Sequence, residues 1–215
     1  MLKIEQLKRQ FDRQADNLLR KGYPEAAGLS VEDFLKHIEP LKEKAEQLTA
    51  PEEDLGRGRL PFTLVIKSDL VATERAMLLV VREGKQGFIK LYPHEPKDFK
   101  PADDVIVPSG MAYLLVDIDR GKETINIPPR EAARMIERDG RSPITIDEGV
   151  AIVTQYPEFL MANNCFSLLA SRHSGDQRVP AIWINADKKA HLGWCWDGNP
   201  HTWLGSASCR GRVGP

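Results

Sequence analysis

The sequence predicts an α+β protein in which amino-terminal helices pack on a mainly antiparallel sheet with a carboxy-terminal β-hairpin. Three observations predict it. Residues 1–48 carry apolar side chains at helical spacing. FTLVIKS, AYLLVDID, RVPAIWIN and AHLGWCW are rich in β-branched and aromatic residues and have strand length. Two helix patterns, REAARMIERDG and TIDEGVAIVTQY, separate the middle strands from a final run of strands. The chain divides into a helical segment 1–48, a linker or loop 49–61, and an α+β domain 62–215.

In the first helix Ile4, Leu7, Phe11, Ala15 and Leu18 form the apolar stripe and Gly22 supplies the stop. Ser30 caps a second helix with Glu32 and Asp33 in its first turn; Phe34, Leu35 and Ile38 continue it. Pro40 ends that helix and opens another through about Leu48. These helices either cover the sheet or form a partner-binding bundle. TAPEEDLGRGRLP mixes proline, glycine and charge, the composition of an exposed loop. FTLVIKS follows as a strand. DLVATERAMLLVV starts as a short helix and finishes as a strand, although periodicity alone does not arbitrate. EGKQG lacks the spacing and the hydroxyl residue of a phosphate-binding loop and reads as a solvated turn.

MAYLLVDIDRGKETINIPP reads as a hairpin turning at DRG. In an extended strand Asp117 and Asp119 share a face, a geometry open to a divalent cation, but acids at a strand end are ordinarily solvated. Pro129 opens the helix REAARMIERDG and Gly140 closes it. In TIDEG, Thr145 and Glu148 form a capping box, while the competing reading gives Asp147 and Glu148 acid–base chemistry. Pro157 breaks the pattern, and PEFLMANN adds two further helical turns.

The most site-like stretch is LGWCWDGNPHTWLGSASC, Leu192 to Cys209. DGNP is turn-forming throughout, so Trp196 and His201 flank a hairpin loop that pairs Cys195 with Thr202 and Trp194 with Trp203. Alternation then puts Leu192, Trp194, Trp196, His201 and Trp203 on one face, with Trp183 joining from the neighbouring strand. That face is either an aromatic core or a platform for a flat ring, a sugar or a cation. Trp194, Trp196, Asp197, Asn199, His201 and Trp203 are the candidate ligand-binding residues.

Two other chemistries fit less well. Zinc on His191, Cys195, His201 and Cys209 fails on spacing, because four strand residues separate Cα atoms by roughly 13 Å while zinc holds its donors at about 2.0 to 2.3 Å. No metal site is therefore predicted. Cys165 or Cys195 activated by His173, His191 or His201 has the right residue types for a thiol nucleophile, against the commoner role of cysteine as a small buried hydrophobe.

Composition narrows the classes. A net charge of −1 removes the broad basic footprint of a nucleic-acid binder. Charges from the third residue onward exclude a secretory signal, and no apolar run is long enough to span a membrane, so a cytoplasmic setting with reduced thiols is expected. Rossmann, P-loop, metalloprotease and nucleophile-elbow motifs are missing from the sequence.

SPITIDEGVAIVTQYPEFL, NNCFSLLASR, RVPAIWIN and LGWCWDGNPHTWLGSASC resemble the signature segments of an uncharacterised, mainly actinobacterial family known as DUF5701. FDRQADNLLRKGYP and AYLLVDIDRG show looser similarity. The resemblance implies a shared fold and a bacterial cytoplasmic setting; it brings no reaction, cofactor or catalytic residue. Two functions stay open: a protein that binds or converts a small molecule at the aromatic carboxy-terminal pocket, or a regulatory or structural module that docks a protein partner or a second copy. The convergence of polar and aromatic groups at one loop edge favours the first.

Overall fold

The structure is a computed structural model and describes residues 2–215. In chain order the helices are α1 (Ile4–Arg20), α2 (Tyr23–Ala27), α3 (Val31–Ile38), α4 (Pro40–Glu46), α5 (Thr73–Leu79), α6 (Pro129–Arg138) and α7 (Ile146–Gln155). The early strands are β1 (Arg59–Ile66), β2 (Val81–Arg82), β3 (Lys85–Gln86), β4 (Phe88–Ile89), β5 (Lys100–Pro101) and β6 (Ala112–Asp119). They are followed by β7 (Ser142–Pro143), β8 (Cys165–Ser167), β9 (Ser171–Arg172), β10 (Arg178–Ile184), β11 (Ala190–Trp196), β12 (Leu204–Ser206), β13 (Ser208–Cys209) and β14 (Gly211–Val213). The class is α+β, with amino-terminal helices and mainly antiparallel sheets.

α1 buries Leu7, Phe11, Gln14 and Leu18, four residues on one helical stripe, and leaves Ile4 in solvent. Gln14 is polar yet fully buried because it faces the outer edge of β1. Its amide donates to the Phe62 carbonyl (3.2 Å) and its oxygen accepts from the Leu64 amide (2.7 Å). One side chain thus does for a sheet edge what a further strand would do. Gln14→Leu is expected to cost about 2 kcal/mol, since two buried backbone groups lose their partners; urea unfolding reads the loss. Ser30 caps α3 as its sequence indicates, accepting from the Asp33 amide at 3.0 Å.

Two five-stranded sheets follow. In the first, β1, β6, β13 and β7 lie side by side and β14 also pairs with β6. β1 and β6 are antiparallel, from Arg59 opposite Asp119 to Ile66 opposite Ala112. The expected hairpin at DRG does not form. Ala112 to Val116 are all buried, so the strand needs a neighbour on each side. It takes them from the chain's beginning (β1) and its end (β13 and β14). After Asp119 the chain passes Gly121, in the left-handed region at φ +88°, into one 3-10 turn, Lys122–Thr124. Asp117, at φ +51°, marks the kink where β6 changes partner from β14 to β13.

The second sheet runs β12, β8, β10, β11, β4. Its hairpin joins β10 to β11, Arg178 opposite Trp196 and Ile184 opposite Ala190. The hairpin expected at DGNP does not form; the hairpin present is one strand earlier, turning between Ile184 and Ala190. Cys195 faces Val179 and Trp194 faces Pro180; neither meets Thr202 or Trp203. The reason is edge occupancy: β10 holds one edge of β11, and β4 holds the other, with His191 opposite Phe88. Residues after Trp196 turn away, and β12 runs parallel to β8.

α7 packs chiefly on β1. Nine of its ten residues, all but Asp147, are buried, the pattern of a helix enclosed on every side. The capping box is realised: Thr145 Oγ1 accepts from the Glu148 amide (3.3 Å), and Glu148 Oε2 accepts from the Thr145 amide (2.7 Å). PEFLMANN gives a single 3-10 turn, Pro157–Phe159, in place of two helical turns. Phe159 and Leu160 drop into the core there, and the buried Arg120 guanidinium donates to the Phe159 carbonyl at 2.8 Å. In segment 49–61 strand structure begins at Arg59, and Ala50 is buried.

Candidate functional site

A cleft of about 460 Å³ opens at the amino-terminal end of α7. That volume lies within the range of small-molecule sites. The loop after β1 brings Lys67 and Ser68, α5 brings Thr73, the segment before β5 brings Phe99, and α7 brings Asp147. Tyr113 of β6 closes part of the wall.

Asp147 and Glu148 are adjacent in sequence but differ in role. The Glu148 carboxylate is fully buried and saturated. Oε1 accepts from the Tyr113 hydroxyl (2.8 Å) and from Arg212 Nε; Oε2 accepts from Arg212 Nη2 (2.9 Å) besides the Thr145 amide. Arg212 in turn donates to Ser142 Oγ (2.8 Å) and to the Pro143 carbonyl (2.7 Å). This network ties β14, β7, β6 and α7 together and leaves no acceptor for a ligand. Burial, with the Glu148 charge beside it, pushes the Tyr113 phenol well above its ordinary value.

Asp147 is different. Its Oδ2 accepts from the Ser68 amide (3.0 Å) and the Ser68 hydroxyl (3.2 Å), whereas among the described residues nothing donates to Oδ1. No lysine, arginine or histidine among them lies within 4.0 Å of the carboxylate. Burial raises its pKa above its ordinary value, and Glu148 and Asp69 add to the rise against the two Ser68 hydrogen bonds. A partly buried acid with a raised pKa on a cleft wall is a functional-site signature. It also has a stability consequence. A carboxyl whose pKa is raised by folding destabilises the fold once it must ionise, so the cost appears as pH climbs from the ordinary value of 3.8 through the raised one. Asp147→Asn keeps an acceptor for Ser68 and carries no charge. Its melting temperature is expected to gain on the wild type as pH rises through that window; a constant difference contradicts the assignment.

The six aromatic-loop candidates separate into groups. Trp194 and Trp196 alternate with Cys195 on β11 and share a face with Arg178 of β10. The Arg178 guanidinium carbon lies 3.2 Å from the centroid of the Trp194 ring and 5.5 Å from that of Trp196. Asp176 anchors it through Nε–Oδ1 (2.9 Å) and Nη2–Oδ2 (2.6 Å) bonds and is itself held well below the usual carboxylate range by that arginine. His94 Nε2 reaches the same carboxylate at 3.3 Å; its ring stacks on His173 at 3.9 Å and meets Trp194 edge-on. Trp196 is 51% exposed.

Trp203 and His201 belong to another cluster, with centroids 5.3 Å apart. Trp203 meets Trp183, which lies across Gly193 and packs on His191, on the opposite face from Trp194. Burial pushes the His191 imidazole down to about 4, with Lys90 adding to the shift. Asp197 accepts from Arg172 at 3.4 Å, and the Asn199 amide donates to the Trp196 carbonyl inside the turn. The tryptophan face predicted as one surface is thus two.

The alternative chemistries find little support. Asp117 pairs with Arg141 and Arg210, and Asp119 with Arg59. Among the described residues no three His, Cys, Asp or Glu side chains gather as a metal ligand set. All three cysteines are free thiols, and burial pushes Cys195 up to about 11, Cys209 up to about 12, and Cys165 above its ordinary value. Such thiols are weak nucleophiles at neutral pH. Sequence reasoning missed Ser68, Phe99 and His94, whose partners lie far away in the chain, and the Asp176–Arg178 pair, which is local but gains its setting only from Trp194 and His94.

Fold and site define an α+β protein with two five-stranded sheets and an acid-headed cleft beside its buried helix. The model of a family of unknown function, DUF5701, matches residues 17–215, and the chain belongs to that family. No curated protein and no solved structure matches it. Among the described residues no helix is long and apolar enough to cross a membrane.

Proposed function

We propose that the protein binds a small molecule in the cleft headed by Asp147. The observation that supports this most directly is the open Oδ1 of a partly buried carboxylate on the wall of a cavity of about 460 Å³. Asp147 and Ser68 fix the ligand's polar end, Phe99 supplies an apolar wall, and the buried network of Glu148, Tyr113 and Arg212 holds the floor rigid. Native mass spectrometry on the protein purified from its own host tests the proposal. Wild type is expected to carry a stoichiometric excess mass that leaves on denaturation, and Asp147→Asn to lack it. An excess equally present in both variants argues for another site.

A second reading keeps the aromatic loop in play. Trp196 is half exposed beside the Arg178 guanidinium, a surface suited to a flat ligand or to a partner protein, with Trp194, Asp197 and Asn199 around it. Trp203 and His201 would then support the loop from the opposite face. Trp196→Ala that leaves cleft binding intact but abolishes a partner contact favours this reading.

A further inference from the structure

The chemistry of the cleft restricts what enters it. The charges acting on Asp147 are those of Glu148, which Arg212 already neutralises, and of Asp69. Glu74 adds another acid to the lining. Of the three lining lysines, Lys97 is paired with Glu95, Lys67 donates to the Pro108 carbonyl above the Tyr113 ring, and Lys100 is exposed on β5. None of the three lies within 4.0 Å of the Asp147 carboxylate. A partly buried carboxylate without a counter-charge is less well solvated than one in water, and a cation reaching its open oxygen relieves that cost. A divalent ion is a poor occupant, because a calcium site needs about six to eight oxygen ligands and no three ligating side chains gather among the described residues. An organic cation needs only one carboxylate and an apolar wall, and Phe99, Pro96, Pro101 and Val107 form such a wall.

We infer that the cleft takes the cationic head of a small organic amine or guanidine, with Asp147 as its counter-ion and the wall at Phe99 receiving the attached apolar body. The inference rests on the cleft being the binding site. Its test uses three probes of one shape: benzylamine, benzyl alcohol and benzoate. Each is titrated into isotope-labelled protein while the amides of Ser68, Thr73 and Asp147 are followed by NMR.

Benzylamine is expected to shift these amides and to bind at least about ten-fold more tightly than benzyl alcohol, a difference of about 1.4 kcal/mol. Asp147→Asn, checked for an unchanged fold by its spectrum, is expected to erase the preference. Glu123→Gln, which removes an exposed acid outside the cleft, is expected to retain it. Benzoate or benzyl alcohol binding the cleft as tightly as benzylamine overturns the inference and leaves the cleft standing as a site. A benzylamine preference that survives in Asp147→Asn also overturns it. If none of the probes moves a cleft resonance, the inference and the cleft proposal fall together.

Discussion

Gly121→Ala is expected to destabilise the protein by about 4 kcal/mol or to prevent folding altogether. Gly121 sits at φ +88°, and a methyl group there would lie 2.1 Å from the Ser206 carbonyl oxygen and 2.6 Å from two further Ser206 backbone atoms. The contact is reciprocal, since a Cβ on Gly205 would meet the Gly121 carbonyl at 2.1 Å. Thr124 clamps the approach from both sides: its hydroxyl donates to the Gly121 carbonyl (2.7 Å) and accepts from the Ser206 amide (2.8 Å). Backbone meets backbone, so no side chain can swing aside, and β12 must move. Gly84→Ala is the control. Its φ is +75° but nothing lies within 4 Å, so it carries the conformational penalty alone, about 1 kcal/mol. Urea midpoints of the two variants separate the contributions, and equal losses would show that the close approach is unimportant.

The second large effect falls on Glu148→Ala, for which about 3 to 5 kcal/mol is expected. The loss comes chiefly from the Arg212 guanidinium, left buried among Ser142, Pro143 and Tyr113 without its carboxylate, and partly from the broken capping box. Replacing both partners, Glu148→Met with Arg212→Met, removes the orphaned charge and is expected to recover much of the stability. A double-mutant cycle read by urea unfolding checks this. Additive losses would mean that the pair is not coupled.

How far the sequence reveals these features depends on how local their causes are. The Ser30 and Thr145 caps were legible because each is an exchange between residues three apart. The α1 stripe was legible for the same reason, although periodicity could not say that Gln14 would replace a missing strand. Alternation along β11 correctly kept Trp194 with Trp196, since that relation belongs to one strand. It failed for Trp203 and His201, whose placement depends on which edges of β11 are free. β4, two residues long, takes the edge that a hairpin partner would need. DRG misled similarly, because its turn chemistry is real but β6 finds its partners at the two ends of the chain.

The candidate site was half legible. TIDEG marked both acids, and the capping box explained Glu148 fully. Asp147 was read together with Glu148, as part of the helix cap or of an acid–base pair; only the loop after β1 shows its partner, Ser68, and only the cleft shows its setting. Arg178 on Trp194 depends on the β10 and β11 pairing together with Asp176 in the preceding turn.

The measurement that bears most directly on the cleft is an amide and indole NMR spectrum of the labelled protein recorded against mixtures of small polar aromatic compounds. The four tryptophan indoles report on the aromatic clusters, and Ser68, Thr73 and Asp147 on the cleft. Binding in the cleft predicts shifts concentrated at Ser68, Thr73 and Asp147, weakened in Asp147→Asn. Shifts confined to the Trp194 and Trp196 indoles, with the cleft silent, would contradict it and move the site to the aromatic loop.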